Sequence, residues 1–135
     1  LRDAPLGMTS HILFTAWDET RPATLSPTII DDIIRTKIGF TGLLLTDDID
    51  MQALDGTVPE RAERAIAAGC DVVLNCWAKL DDMEQMARRL PPLSDDGLMR
   101  LELALKGTGS TAQAGEATEL LAERDALFEA AGVAV

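Results

Sequence analysis

A cluster of acidic side chains that could do chemistry follows directly on a short apolar run. Leucine fills positions 43–45, and Thr46 then precedes Asp47, Asp48 and Asp50. A continuous apolar run is typical of a parallel strand that is buried on both faces. Ligands bind and catalytic groups lie at the carboxyl ends of such strands in α/β folds. These carboxylates are therefore candidates for catalytic groups.

The acidic cluster alone leaves other functions open. Its carboxylates could gather Mg²⁺ in a phosphotransfer-type α/β domain, although no Lys or Thr/Ser partner motif accompanies them. They could also be a solvated loop that caps the next helix, which is the simplest interpretation of the cluster by itself. The chain would then be a non-catalytic α/β assembly or binding module, with its small-residue and terminal helices against another subunit.

Strand and helix patterns alternate along the chain. We predict strands at 6–14, 43–46 and 72–76, and helices at 27–38, 59–68, 81–90, 94–106 and 116–131. Ser26 is a good N-cap with Pro27 at the first helical position, and Gly39 and Gly69 end helices. Strands spaced by such helices predict βαβ units, and hence an α/β fold with a parallel sheet.

Several motifs give the chain a resemblance to a known family. They are Met-x-x-His at 8–11, Arg-Pro-Ala-Thr-x-Ser at 21–26, Gly-Phe-x-Gly at 39–42, Thr-Asp-Asp-x-x-Met at 46–51 and Ala-Gly-Cys-Asp-Val-Val-Leu at 68–74. In this order and at this spacing, they resemble the family 3 glycoside hydrolases, and among these the β-N-acetylhexosaminidases most closely. The resemblance covers residues 5 to about 90 well and residues 91–106 loosely.

The resemblance implies a fold and a division into domains. Members of this family carry their site on a (β/α)8 TIM-type barrel, which needs about 250 residues. The 135 residues of this chain would supply the C-terminal portion of that barrel, about three strands with alternating helices. We therefore expect residues 1–106 to be barrel, 107–115 a linker and 116–135 a C-terminal helix. The missing N-terminal half of the barrel, or a symmetry mate, would be needed as a partner.

The resemblance also implies the roles of site residues. Asp47 matches the family's nucleophile, and we expect Asp48 to support the site by accepting hydrogen bonds from backbone amides. His11, the one histidine, and Met51 match residues that line the sugar-binding site. From the residues alone, His11 could equally be a histidine packed at a strand end. The family's acid–base motif, a Lys-His-Phe-Pro-Gly-His-Gly-like segment, does not occur in this sequence.

The implied activity is a retaining exo-β-N-acetylglucosaminidase. It would release terminal N-acetylglucosamine in the cytoplasm, in peptidoglycan recycling, without a cofactor or a metal. The net charge of −11 opposes binding to nucleic acid or anionic membranes. No apolar stretch is long enough to span a bilayer. The spacing of Cys70 and Cys76 fits neither a zinc pair nor a disulfide framework, which predicts buried free thiols.

Overall fold

A three-stranded parallel sheet forms the centre of the fold. The computed structural model describes residues 2–107 and 114–130. Strands β1 (Leu6–Met8), β2 (Leu43–Asp48) and β3 (Val72–Leu74) lie in the order β1-β2-β3, so that β2 is central. Parallel neighbours need long crossover connections, and helical segments supply both of them. The predicted α/β fold with a parallel sheet is present.

Helices connect and follow the strands. They are a 3₁₀ turn at Ala23–Leu25, a π-helix at Thr28–Lys37, and the α-helices α1 (Val58–Ala67), α2 (Leu80–Arg89), α3 (Asp95–Gly107) and α4 (Ala114–Ala130). Helix α1 begins where the Thr57 amide and hydroxyl both donate to the Glu60 carboxylate, at 2.8 Å each. It ends before Gly69, whose φ of 111° lies in the left-handed region that favours glycine.

The first strand and the first helix differ from the prediction. Strand β1 ends at Met8 rather than Phe14, because the carbonyls of Ser10 and Ile12 accept the amides of Thr24 and Ala23 instead of a sheet neighbour. In the π-helix, the Ile38 amide donates to the Ile33 carbonyl five residues back, at 2.8 Å. The wider winding removes Ile38 from the buried face, and its side chain is 46% exposed.

Apolar packing joins α1 and the π-helix to the sheet. The main core cluster combines large and small side chains. Its buried members are Leu25, Ile30, Phe40, Leu44, Leu54, Ala65, Ala68 and Cys70. Burial raises the pKa of the Cys70 thiol to about 12. Cys76 is exposed, so the prediction of buried thiols holds for Cys70 and is wrong for Cys76.

Asp71 connects four elements of the fold through one buried carboxylate. Its side chain is 5% exposed and accepts from Arg35 at 2.8 Å, from Arg100 at 2.7 Å and from the Leu44 amide at 2.9 Å. Arg35 lies in the π-helix, Leu44 in β2, Arg100 in α3, and Asp71 itself immediately precedes β3. Three donors replace the water that this carboxylate loses on burial.

The C-terminal helix lies beyond the sheet. Helix α4 spans Ala114–Ala130, close to the predicted 116–131, and Leu120, Leu121 and Leu127 on it are exposed. Most of the predicted linker 107–115 lies outside the described residues, and the domain division remains a prediction. Within 2–107 and 114–130, no helix combines the length and the apolar character that a bilayer span requires.

We predict that Asp71→Asn lowers the free energy of unfolding by about 2–4 kcal/mol, since it removes the counter-charge of Arg35 and leaves Arg100 only the exposed Asp96 at 4.0 Å. Urea denaturation of the protein that carries these residues measures this. The matched control is Glu84→Gln, which breaks the exposed Glu84–Arg88 pair and should cost less than about 0.5 kcal/mol. Equal losses in the two variants would contradict the assignment of Asp71 as a buried connection.

Candidate active site

The end of β2 is irregular where the candidate residues begin. Between Leu45 and Asp48, β2 advances by three residues while β3 advances from Val72 to Leu74. The buried Thr46 hydroxyl accepts the Leu74 amide at 2.8 Å and so takes the place of a backbone acceptor. Such a β-bulge re-aims the side chains that follow it and is frequent beside active sites.

Asp47 lies half-buried at this bulge with one carboxylate oxygen engaged. Its Oδ1 accepts the amide of Asp48 at 2.8 Å, which fixes the orientation of the carboxylate. No hydrogen bond to Oδ2 is found in the described part of the chain. Asp47 therefore has one carboxylate oxygen that is held and one for which no hydrogen bond is found among the described residues.

Asp48 connects the ends of β2 and β3. Its Oδ1 accepts the amide of Asp50 at 3.2 Å and the amide of Cys76 at 3.1 Å. Its carbonyl accepts the amide of Met51 at 3.1 Å. These are the backbone hydrogen bonds expected of a residue that holds the turn after the strand.

His11 connects the loop after β1 to the same turn. Its Nε2 lies 2.9 Å from the Asp48 carbonyl, which can only accept, so Nε2 carries a proton and donates. Its Nδ1 lies 2.8 Å from the Thr24 hydroxyl, which is also 2.8 Å from the Thr9 hydroxyl. Both ring nitrogens are therefore engaged within the protein, and a sugar hydroxyl would have to displace one of these partners to reach the ring.

Arg61 is a further residue of the site, and the sequence analysis did not identify it. Its side chain extends from α1, is 8% exposed, and donates from Nη1 to the carbonyls of Ile49 at 2.9 Å and Met51 at 3.2 Å. A signal was present in the sequence, because Arg61, Ala65 and Ala68 share one helical face. A charged side chain on a buried face of small residues needs hydrogen-bond acceptors, and the backbone carbonyls of the acidic loop supply them.

Met51 and Asp50 complete the loop. The Met51 side chain is 44% exposed and is available at the surface of the site. Asp50 has one oxygen, Oδ2, that is buried and has no partner in the part of the chain that is described. Within that part, no three His, Cys, Asp or Glu side chains are arranged to hold a metal ion.

Asp18 stabilises the loop that carries His11 and Thr24. Its carboxylate accepts the Ser26 hydroxyl at 2.7 Å, the Thr20 amide and hydroxyl at 2.9 Å each, and the Arg21 amide at 3.1 Å. These hydrogen bonds, that of Ser26 foremost, hold the pKa of Asp18 well below its ordinary value of 3.8. Ser26 also accepts the Ile29 amide, which agrees with its predicted role at the start of the helix.

Comparison with known proteins extends these observations. Residues 1–97 match the model of the family described as "Glycosyl hydrolase family 3 N terminal domain". The chain is 40% identical over 106 residues to a Beta-hexosaminidase of Chromobacterium violaceum, and 38% identical over 99 residues to one of Alkalilimnicola ehrlichii. These matches cover 76% and 70% of this chain but only 29% and 28% of the relatives.

Solved structures share the fold. The β-N-acetylhexosaminidase from Beutenbergia cavernae matches with a TM-score of 0.61 and 28% identity over 80% of this chain and 34% of its own. The family 3 β-N-acetylglucosaminidase from Paenibacillus sp. str. FPU-7 matches with a TM-score of 0.63 and 25% identity over 81% of this chain and 24% of its own. The likeness confirms the predicted fold class, the three parallel strands and their helices forming part of a TIM-type barrel.

We predict that Arg61→Met lowers the free energy of unfolding by about 1–3 kcal/mol, because two loop carbonyls lose a charged donor. Hydrogen exchange should rise more in residues 49–54 than in β3, and mass spectrometry of peptides would measure both. The control is Arg88→Met on α2, which should stay within about 0.5 kcal/mol of the parent. Uniformly faster exchange in both segments would show that Arg61 has no specific effect on the loop.

A second prediction concerns pH. The folded pKa of Asp18 is depressed, so its contribution to stability is full above its unfolded pKa, begins to decrease as pH falls below about 4, and is lost as pH falls through the depressed folded pKa. The difference in unfolding free energy between the parent and Asp18→Asn should therefore be constant from pH 8 to 5 and shrink below pH 4. Thermal or urea unfolding across this range measures it, and a difference that is the same at pH 3 and pH 7 would refute it.

Proposed function

Because this chain belongs to family 3 of the glycosyl hydrolases, we propose that the protein carrying it is a retaining exo-β-N-acetylglucosaminidase, with Asp47 as its nucleophile. The observation that carries the proposal is the state of Asp47. It is a half-buried carboxylate at the carboxyl end of the central strand, held through one oxygen and available through the other. Retaining hydrolysis needs such a group on the face of the sugar opposite the leaving group.

The reaction proceeds in two displacements. Asp47 Oδ2 attacks the anomeric carbon, the glycosidic bond breaks, and the leaving oxygen takes a proton from a general acid. Water then attacks the same carbon, loses a proton to the conjugate base, and releases the Asp47 carboxylate. His11 is poorly suited to the acid–base step because both of its ring nitrogens are engaged. We assign that step to a group outside these 135 residues.

Asp48, His11 and Arg61 are positioning residues in this proposal. The Asp48 carboxylate holds the turn by accepting the Asp50 amide. His11 donates to the Asp48 carbonyl, and Arg61 donates to the carbonyls of Ile49 and Met51, on either side of Asp50. Rigid placement matters because the attacking oxygen must lie about 3–3.5 Å from its target. Direct sugar binding by His11 and Met51 remains a prediction, which the exposure of Met51 supports better than the contacts of His11.

The substrate is a β-linked terminal N-acetylglucosamine. Support comes from the names of the relatives, all of which are hexosaminidases or β-N-acetylglucosaminidases in the matches described above. We further propose cell-wall fragments as the natural glycosides and the cytoplasm as the compartment. A hydroxyl-rich ligand suits the carboxylates of this site, since these accept hydrogen bonds from hydroxyl groups.

The sheet needs further strands for this function. In the described residues, β1 and β3 each pair on one side only, and Leu6 and Met8 of β1 are 51% and 56% exposed. Open strand edges and exposed apolar side chains favour pairing with another segment. We propose that the N-terminal half of the barrel covers them and brings the acid–base group to Asp47.

The test is covalent labelling of Asp47. The full-length product of the reading frame that contains these residues is incubated with an activated fluorinated N-acetylglucosaminyl donor and digested for mass spectrometry. We expect a glycosyl adduct on Asp47 and a loss of more than about 10³-fold in kcat for Asp47→Asn. Asp55→Asn, at an exposed acid in the loop that follows, should keep its activity. A label on another acid would refute the assignment of Asp47.

A further inference from the structure

The Thr24 hydroxyl is buried where three polar groups meet. Thr24 lies fully buried in the 3₁₀ turn Ala23–Leu25. Its oxygen is 2.8 Å from the Thr9 hydroxyl, 2.8 Å from Nδ1 of His11 and 2.9 Å from the carbonyl oxygen of Ser10. A hydroxyl group has a single proton, so it cannot donate to His11 and to Ser10 at once. The direction of that proton decides how the group is ordered.

The contacts of His11 determine where this proton goes. The Asp48 carbonyl can only accept, so the hydrogen bond from Nε2 at 2.9 Å uses the single N–H of a neutral imidazole. Nδ1 then carries a lone pair that needs a donor, and the Thr24 hydroxyl is within reach of it. The Ser10 carbonyl depends less on this proton, because it already accepts the Thr24 amide at 3.1 Å. In the neutral state the proton of Thr24 therefore points to Nδ1, and the Thr24 oxygen can accept the proton of Thr9.

We propose that Thr24 is a positioning residue of the reaction, which selects the tautomer of His11 with its proton on Nε2. The inference rests on the proposed function. This tautomer is the one that can donate to the Asp48 carbonyl, and the Asp48 amide in turn donates to Oδ1 of Asp47 at 2.8 Å. In the other tautomer, Nε2 would present a lone pair to the carbonyl oxygen, and the turn beside Asp47 would lose a donor.

Two substitutions at Thr24 separate this role from packing. Thr24→Val keeps the size of the side chain but removes the hydroxyl group, whereas Thr24→Ser keeps the donor and removes a buried methyl group. Both variants of the full-length enzyme should unfold at a lower urea concentration than the parent, because the first leaves Nδ1 without a donor and the second leaves a cavity.

Activity should follow the hydroxyl group rather than stability. On p-nitrophenyl N-acetyl-β-glucosaminide, we expect kcat to fall about tenfold or more in Thr24→Val, because a small displacement of the attacking oxygen slows the reaction strongly. The conservative variant Thr24→Ser should stay within about threefold of the parent in kcat, and KM should change by less than about twofold in both.

The tautomer itself is measured by ¹⁵N NMR of the histidine-labelled full-length enzyme. The signals of His11 are those that disappear in His11→Asn. At about pH 8, where a free histidine is neutral, we expect a proton on Nε2 and none on Nδ1 in the parent and in Thr24→Ser. In Thr24→Val, we expect a mixture of the two tautomers.

Several results would overturn the inference. A proton on Nδ1 of His11 in the parent at this pH does so, because the proton of Thr24 would then go to Ser10. Equal kcat in the two Thr24 variants, or a rise in KM with unchanged kcat, does so as well, since Thr24 would then act through stability or sugar binding. A parent enzyme that hydrolyses no N-acetylglucosaminide overturns the proposed function, and the role of Thr24 in the reaction with it. The NMR measurement separates these failures because it does not depend on turnover.

Discussion

The hydrogen bonds that converge on Asp48 hold the candidate site together. Its carboxylate accepts the amides of Asp50 and Cys76, and its carbonyl accepts protons from His11 and Met51. One residue therefore connects the ends of all three strands. The adjacent peptide cannot move without breaking several of these bonds at once, so the orientation of Asp47, the proposed nucleophile, is a property of the fold rather than of a loop.

Local patterns made much of this structure predictable. The apolar run before Asp47, the cap at Ser26 and the left-handed Gly69 each depend on neighbours in sequence, and the elements they mark are present. The end of β1 was not predictable in the same way, because Ser10 and its neighbours form hydrogen bonds with residues far along the chain. Apolar composition alone favoured a longer strand, and tertiary hydrogen bonds prevailed.

The contacts of polar side chains were the least accessible to sequence. A motif can suggest that His11 lies at the site, but not that both of its nitrogens already have partners. Arginine shows the same limitation: Arg35, Arg61 and Arg100 turn inward to carbonyls and to Asp71. An acidic chain that uses three of its cations internally presents a still more negative surface than its formal charge indicates.

The bulge in β2 limits how this part of the chain can evolve. Side chains alternate between the faces of a strand, so deleting one residue between Leu45 and Asp48 would restore a regular ladder and exchange the directions of the two aspartates. The number of residues in this strand therefore sets the direction of each aspartate, independently of their identity. Loops on either side can lengthen, shorten or change composition without changing this register. Substrate range in such a scaffold should diversify through those loops, around a strand whose length stays constant.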